Sequence, residues 1–197
     1  MADVYKFQVK LCGLENYIWR EIEITSLLSV AKLGYAILGA FSGAASHLFC
    51  VKANGNRYEF LYEEDDLFEE ESFDPVITKL ASLKLSIGDK LTMEYDYGAG
   101  WEFDIELKSI EEMKKGAGTH YPYITDGRGN DIIEDTSPGM LIEFIEQTDR
   151  DGVLPTYYDF ETDREIEWDY RKCDLEYLNA FYKFRIAQIK AAYENVD

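Results

Sequence analysis

Histidine, cysteine and proline are scarce in this chain of 197 residues, which has two, three and four of them, respectively. The cysteines, at positions 12, 50 and 173, are odd in number, far apart in sequence and without a C-x-x-C pair. A disulfide framework or a zinc knuckle is therefore not expected. Such cysteine usage is typical of a reducing compartment.

Long apolar runs are also missing. The longest, residues 27–41, contains Lys32 and is too short to span a bilayer. The N-terminus has no basic segment followed by an apolar core, so no signal peptide is expected. Together with the cysteine usage, these features predict a cytoplasmic protein that does not contact a membrane.

Positive charge is limited, because 20 lysines and arginines stand against 39 aspartates and glutamates, giving a net charge of −19. A chain this acidic is repelled by phosphate backbones, so direct binding of nucleic acid is not expected. Solubility is the simplest role for the charge. A basic protein partner or a cation site are the more specific alternatives.

Recognisable catalytic and nucleotide-binding motifs are absent from the sequence, including G-x-S-x-G, H-E-x-x-H and the P-loop. Gly98-Ala99-Gly100 lacks the third glycine of a dinucleotide fingerprint and lies between two alternating segments. It is predicted to be a turn. No cofactor is expected.

Hydrophobic residues make up 46% of the chain and aromatic residues 15%, which is enough material for one folded domain over residues 1–197. Alternation of apolar and polar residues predicts three β-hairpins. They join residues 5–11 to 18–24, 47–51 to 57–61, and 91–97 to 101–107. A sheet built from hairpins is largely antiparallel or mixed, so we predict a roll-like α+β fold.

Helical spacing of apolar residues predicts four helices. They cover residues 27–41, the segment after Asp74-Pro75, the segment after Ser137-Pro138, and a C-terminal helix capped by Asp174. Residues 180–197 are interpreted as a helical extension of the domain. An acidic surface loop is predicted at 63–71 and irregular structure at 121–135, while residues 149–168 have no clear pattern.

His47 is a candidate acid, base or metal ligand, because imidazole titrates near neutrality. The alternative is a structural residue at a strand start that is hydrogen-bonded to the backbone. Asp96 lies inside a predicted strand, which aspartate disfavours. It marks either a site or, as we favour, a side chain that caps the following turn.

Glu134 and Asp135, with Asp131 close by, offer carboxylate oxygens of the kind that bind divalent ions. In a chain with this many acids, such a cluster also arises by chance. Trp19, beside Arg20, is opposite in phase to the buried positions of its strand. It either packs under a second layer, which is favoured, or lines a groove.

Several short segments follow one another in a recognisable order. They are 5–11 with Ile18-Trp19-Arg20, 41–49 with Ser46-His47-Leu48-Phe49, Tyr95-Asp96-Tyr97-Gly98 followed by Trp101, Tyr121-Pro122, Glu134-Asp135 before Gly139, and Asp174-Leu175-Glu176 with Asn179. Over about residues 4–180 the chain resembles the plasmid pRiA4b ORF-3-like family. The resemblance implies a mixed α+β domain, seen mostly in bacteria and archaea and often near mobile elements, with no established activity.

This sequence departs from the family pattern at two places. Ala99-Gly100 stands where the family has an acidic pair before the tryptophan. Ile132-Ile133 and Thr136 stand where cysteines and prolines often surround the Glu-Asp step. A metal or thiol role for that loop is therefore not implied for this chain.

Three functional hypotheses follow from these observations. The first is a non-catalytic binding module, in which a groove carrying Trp19, Tyr95, Tyr97 or Trp101 accepts a peptide or a basic protein partner. The second is a metal-assisted hydrolase that uses His47, Asp96, Glu134 and Asp135, which must then converge. The third is an acidic protein that mimics or regulates nucleic acid. The candidate binding residues are Trp19, Arg20, His47, Tyr95, Asp96, Trp101, Glu134 and Asp135, without a firm metal ligand.

Overall fold

A computed structural model of the chain describes residues 2–60, 72–159 and 162–194. The described residues form three α-helices, a mixed eight-stranded sheet and a separate two-stranded sheet. The predicted α+β class is confirmed. The acidic loop predicted at 63–71 lies outside the described residues.

The strands of the large sheet lie in the order β5-β4-β3-β6-β7-β1-β2-β8. All its neighbours pair antiparallel except β4 and β5, and β9 pairs with β10 in the small sheet. The three predicted hairpins are present as β1–β2, β3–β4 and β6–β7. The strands are β1 (Asp3–Leu11), β2 (Trp19–Thr25), β3 (Phe49–Ala53), β4 (Asn56–Glu59), β5 (Ser72–Phe73), β6 (Lys90–Tyr95), β7 (Trp101–Glu112), β8 (Tyr123–Arg128), β9 (Thr156–Asp159) and β10 (Arg164–Glu167).

The helices are α1 (Val30–Ala40), α2 (Pro138–Asp151) and α3 (Leu175–Glu194), with short 3-10 helices at Leu80–Leu83 and Ala117–Thr119. Each α-helix begins with a residue suited to that place. The Ser29 side chain accepts from the Lys32 amide at the start of α1, α2 begins with Pro138, and the Asp174 carboxylate accepts from the Tyr177 amide. Among the described residues, no helix has the length and hydrophobicity needed to cross a membrane.

Three local predictions differ from the structure, and tertiary pairing explains each difference. No α-helix follows Asp74-Pro75. There the chain turns and pairs with the segment before α1, through bonds from the Leu80 amide to the Leu28 carbonyl and from the Ala81 amide to the Ser26 carbonyl. The same pairing delays the start of α1 to Val30. Residues 121–135, predicted irregular, contain β8, and the unassigned stretch 149–168 contains β9 and β10.

One face of the large sheet is buried and the other faces solvent. In β1, for example, Phe7, Val9 and Leu11 are fully buried, whereas the alternate lysines and glutamine are only half-buried. Helix α1 packs tightly on the buried face, since a Cβ on Gly34 would lie 2.4 Å from the Phe49 ring. Helix α3 in turn packs on α1, and its Tyr182 hydroxyl donates to the Ala36 carbonyl at 2.8 Å.

Candidate functional site

Arg20 is the only charged residue among the largest fully buried side chains of the described chain. The alternation of β2 places it on the core side of the sheet, next to Gly127 of β8. Its Nε donates to the Ala40 carbonyl at 3.1 Å, and its Nη1 donates to the Arg128 carbonyl at 2.8 Å. Its Nη2 lies 3.0 Å from Asp131 Oδ1. A buried charge with this many partners is a structural anchor.

Asp131 lies near the start of the loop between β8 and α2 (residues 129–137), which we call the β8–α2 loop. Besides Arg20, its carboxylate accepts from the Ser42 hydroxyl at 2.5 Å, and its backbone carbonyl accepts from the Trp168 indole at 3.1 Å. The Ser42 hydroxyl also accepts from Arg185 of α3 at 2.5 Å. These contacts fix the first part of the loop against β2, α1 and α3.

Glu134 fixes the second part of the loop. Its Oε1 accepts from the Tyr95 hydroxyl at 2.8 Å and from the Ala44 amide at 2.5 Å. Its Oε2 lies 3.4 Å from the Ser46 hydroxyl. Burial, together with the nearby Glu134 charge, raises the pKa of Tyr95. The phenol therefore stays protonated at neutral pH and donates to the carboxylate.

His47 brings together carboxylates from two separate segments. Its Nε2 lies 3.4 Å from Asp96 Oδ2 and 3.4 Å from Asp135 Oδ1, where the side chains of the two aspartates are 12% and 72% exposed. Its backbone carbonyl accepts from the Tyr193 hydroxyl of α3. The His47 imidazole thus contacts two acids, whereas the structural alternative expected a hydrogen bond from His47 to backbone.

Asp96 also caps a turn, which confirms the favoured interpretation. Its φ is +51°, and its Oδ1 accepts from the amides of Gly98 at 3.1 Å and Ala99 at 3.2 Å. One carboxylate oxygen therefore holds the β6–β7 turn and the other faces His47. Because the turn fixes Asp96, its place in the cluster does not depend on the histidine.

Five of the eight candidate binding residues therefore meet at one place. His47, Tyr95, Asp96, Glu134 and Asp135 form what we call the His47 cluster. The other three candidates, Trp19, Arg20 and Trp101, lie outside it. Arg20 instead holds the opposite end of the β8–α2 loop.

The predicted aromatic groove is not formed by the described residues. Tyr95 and Trp101 are cross-strand neighbours whose side chains are fully buried, so neither presents a surface. Trp19 is half-buried, next to Arg20 in β2, and points to the other face of the sheet. Tyr97 is exposed, but it donates to Glu59 at 3.2 Å.

None of the three cysteines is an activated nucleophile. Burial raises the pKa of the Cys12 thiol to about 12 and that of the Cys50 thiol to about 11, and it also raises the pKa of Cys173. Since the thiolate is the reactive form, the raised pKa values disfavour reaction of these thiols at neutral pH.

Within the described ranges, one group of three acids and thiols has ligand atoms that all lie within 4.8 Å of one another: Cys12, Glu15 and Asp104. Among the described residues, His47, Asp96 and Asp135 do not meet this spacing, although both carboxylates lie 3.4 Å from the same imidazole nitrogen. In the His47 cluster the two carboxylates thus share one nitrogen as a polar contact.

Sequence analysis missed the contacts that α3 makes with this region. Arg185 bonds to Ser42, and Tyr193 bonds to the carbonyl of His47. Both residues fit the ordinary pattern of a helix, so no local signal distinguishes them. Only the packing of α3 on α1 brings them to the site.

Comparison with known proteins places the chain in a family. The model for "plasmid pRiA4b ORF-3-like protein" matches residues 3–177. The search of curated proteins found no match. The crystal structure of a protein of unknown function from Methanosarcina mazei Go1 has a TM-score of 0.70 and 20% sequence identity, covering 89% of this chain and 96% of that chain. At this identity the likeness concerns the fold alone. The chain belongs to the plasmid pRiA4b ORF-3-like family.

Proposed function

We propose that this protein is a non-catalytic binding module whose His47 cluster takes a cationic group of a basic protein partner. The observation that carries the proposal is the long contact of 3.4 Å between His47 Nε2 and Asp135, whose carboxylate is largely exposed. Charge-assisted hydrogen bonds are shorter, at about 2.7–2.9 Å. A lysine or arginine side chain that makes such a bond would therefore compete well for Asp135.

The surroundings of Asp135 support this role, because the rest of the cluster is already held. Asp96 is fixed by the turn amides, and Glu134 by Tyr95 and Ala44. A partner would not have to order these groups, which reduces the entropic cost of binding. The net charge of −19 would also attract a basic partner over long range.

The chemistry of the cluster argues against covalent catalysis. Tyr95 has a raised pKa, both carboxylate oxygens of Glu134 face hydroxyl or amide donors, and one oxygen of Asp96 serves the turn. Covalent catalysis needs a nucleophile that is activated by a neighbouring base. The described residues of the cluster supply no such pair.

The test is affinity capture with three immobilised proteins: the wild type, Asp135→Asn, and the matched control Glu143→Gln. Glu143 is exposed on α2, and its change alters the net charge equally. We expect a partner that binds at low salt and is lost at high salt. Its affinity, measured with the purified partner, should fall several-fold for Asp135→Asn and stay nearly unchanged for Glu143→Gln. No salt-sensitive partner, or equal losses in both variants, would contradict the proposal.

Metal-assisted hydrolysis is the second candidate, because His47, Asp96, Glu134 and Asp135 do lie in one cluster. An ion there requires bonds of about 2.0–2.6 Å, so both aspartates would have to close around it. Calorimetric titration with Zn²⁺ and Mn²⁺ tests this candidate. Binding that is lost in His47→Ala supports it, whereas binding that is absent, or unchanged in that variant, argues against it.

The predictions about localisation and nucleic acid belong to the same proposal. We infer a cytoplasmic protein that does not bind nucleic acid directly, and the link to mobile elements suggested by the family stays a prediction. A gel shift with purified protein tests whether the protein binds nucleic acid directly, since retarded DNA at physiological salt would contradict this inference.

A further inference from the structure

We propose that the outer face of α3 binds a second copy of this chain, forming a two-fold symmetric dimer. The face, which we call the α3 stripe, consists of exposed aromatic, alanine and glutamine side chains: Tyr177, Ala180, Phe181, Phe184, Ala187, Gln188, Ala191 and Ala192. This surface is separate from the His47 cluster, so the inference does not depend on the proposed function.

The geometry of an α-helix puts the stripe opposite the buried side of α3. At 100° per residue, its members fall within a sector of about 140°. The buried residues of α3, which are Leu178, Tyr182, Ile186, Ile189 and Tyr193, occupy the other side of the helix. Helix α3 thus has a second apolar face that no described part of the chain covers.

The aromatic part of the stripe is unusually exposed. Tyr177, Phe181 and Phe184 are 54%, 47% and 63% exposed, and the rings of Tyr177 and Phe181 are 5.1 Å apart. None of the eight members is charged, although charged residues make up 30% of the chain. A contiguous apolar surface on an otherwise charged protein marks an interaction site.

The spacing of the stripe indicates that its occupant is a helix. Tyr177, Phe181, Phe184, Gln188 and Ala191 follow one another at intervals of 4, 3, 4 and 3 residues. This is the spacing of the seam along which two helices pack in a coiled coil.

The order of large and small side chains indicates that the second helix is α3 of another copy, running antiparallel. The three aromatic residues occupy the N-terminal half of the stripe, and three of its four alanines the C-terminal half. A dyad near Phe184 would place Tyr177 opposite Ala191, and Phe181 beside Gln188. A parallel pair would set all three aromatic residues against their own copies and the alanines against alanines, so that large and small side chains would be paired less evenly. A self-complementary patch is what a two-fold interface requires.

The size of the stripe predicts a weak dimer. From Tyr177 to Ala191 the helix is about 21 Å long, so an antiparallel pair would bury on the order of 1,000 Å² in total. That area is at the lower end of specific interfaces. We expect a reversible dimer with a dissociation constant in the micromolar range.

The effect of salt on binding distinguishes the two possible occupants of the α3 stripe, a second copy of the chain and a basic partner. Two copies each carry a net charge of −19 and repel, so salt should strengthen the dimer by screening. A basic partner would instead be attracted, and salt would weaken its binding.

Sedimentation velocity from about 1 to 200 μM, at low and high salt, tests the dimer. We expect Phe184→Glu to raise the dissociation constant at least tenfold, because two carboxylates would meet at the dyad. The matched control is Ile77→Glu, at a 74% exposed residue outside α3, which should leave the constant unchanged. A monomer at all concentrations, a dimer unaffected by Phe184→Glu, or a dimer weakened by salt would overturn the proposal.

Disulfide trapping tests the orientation. Tyr177→Cys and Ala191→Cys proteins, mixed under mild oxidation, should cross-link to each other more than either does to itself. Phe184→Cys alone should cross-link to itself, because Cα atoms within about 7 Å can be bridged. The wild type gives the background from the native cysteines. Preferential self-linking of Tyr177→Cys would overturn the antiparallel arrangement.

Discussion

The two ends of the β8–α2 loop each pair an acid with a basic side chain, and they differ in almost every other respect. At the first end, Asp131 lies 3.0 Å from the guanidinium of the fully buried Arg20. At the second end, Asp135 lies 3.4 Å from the imidazole of the partly exposed His47. The same loop thus carries one contact with a buried guanidinium, whose carboxylate is 28% exposed, and one contact that is more open to solvent on both sides.

The difference shows why two similar pairs serve different purposes. A buried charge cannot exchange its partner for water, so breaking its pair leaves an uncompensated charge in the core. An exposed pair contributes little to stability, because water solvates both groups. The first contact therefore holds the loop, and the second is the one that the proposed cationic partner would displace.

Breaking the buried end should have the largest effect. Arg20→Met removes donors to three backbone carbonyls and to Asp131, and should lower the free energy of unfolding by about 3 kcal/mol. Urea denaturation measures this change. Arg150→Met, which removes an exposed pair with Asp151, is the control and should leave the unfolding midpoint unchanged. Equal losses of the free energy of unfolding in Arg20→Met and Arg150→Met would contradict the difference between buried and exposed pairs.

The middle of the loop should show an intermediate effect. Glu134→Gln keeps the size of the side chain but weakens the bonds from Tyr95 and Ala44, at a cost of about 1–2 kcal/mol. Urea denaturation at neutral pH again measures the change. If Glu134→Gln lowered the free energy of unfolding as much as Arg20→Met does, Glu134 would hold the loop as strongly as Arg20.

Alkaline pH should lower the free energy of unfolding by about 1 kcal/mol through the contact between Tyr95 and Glu134. Burial raises the pKa of Tyr95 above its ordinary value of 10.0, so the folded state keeps the phenol proton longer than the unfolded state does. The stabilisation is complete below pH 10 and is lost as pH rises further, by up to about 1.4 kcal/mol per pH unit. The free energy of unfolding of Tyr95→Phe should decline less between pH 9 and 11 than that of the wild type. Parallel declines would contradict this assignment.

The smallest effect is expected at the exposed end. His47→Ala and Asp135→Asn should each change the free energy of unfolding by less than about 0.5 kcal/mol. The same urea experiment measures them. A loss above about 2 kcal/mol in Asp135→Asn would make this end structural and would weaken the proposed binding role.

Much of the fold was predictable because it depends on local patterns. Alternating apolar residues gave the three hairpins, and caps such as Asp174 marked the helix starts. Strand β8 was not predicted, because its place depends on pairing with β2 and not on its own residues. The helix expected after Asp74-Pro75 failed for the same reason, since its amides bond to the segment before α1.

The site was predictable in its members but not in its arrangement. Unusual residue types drew attention to His47, Asp96, Glu134 and Asp135, and the structure brings them together. Their positions in the sequence did not indicate how far apart they lie in the fold. The burial of Tyr95 and Trp101 excluded the groove that the aromatic content had suggested. The alternation of β2 puts Arg20 in phase with the buried Ile22 and Ile24, but only the tertiary structure supplies the partners that allow a charge to be buried there.

By itself the sequence determined the hairpins, the helix caps, the acidic charge and the family, because each depends on residues that are close together or on composition. Only the tertiary structure decided that one loop carries both a buried and an exposed pair, and that α3 keeps a second apolar face. Those features arise from which surfaces pack against each other, and packing depends on contacts between residues that the chain order keeps far apart.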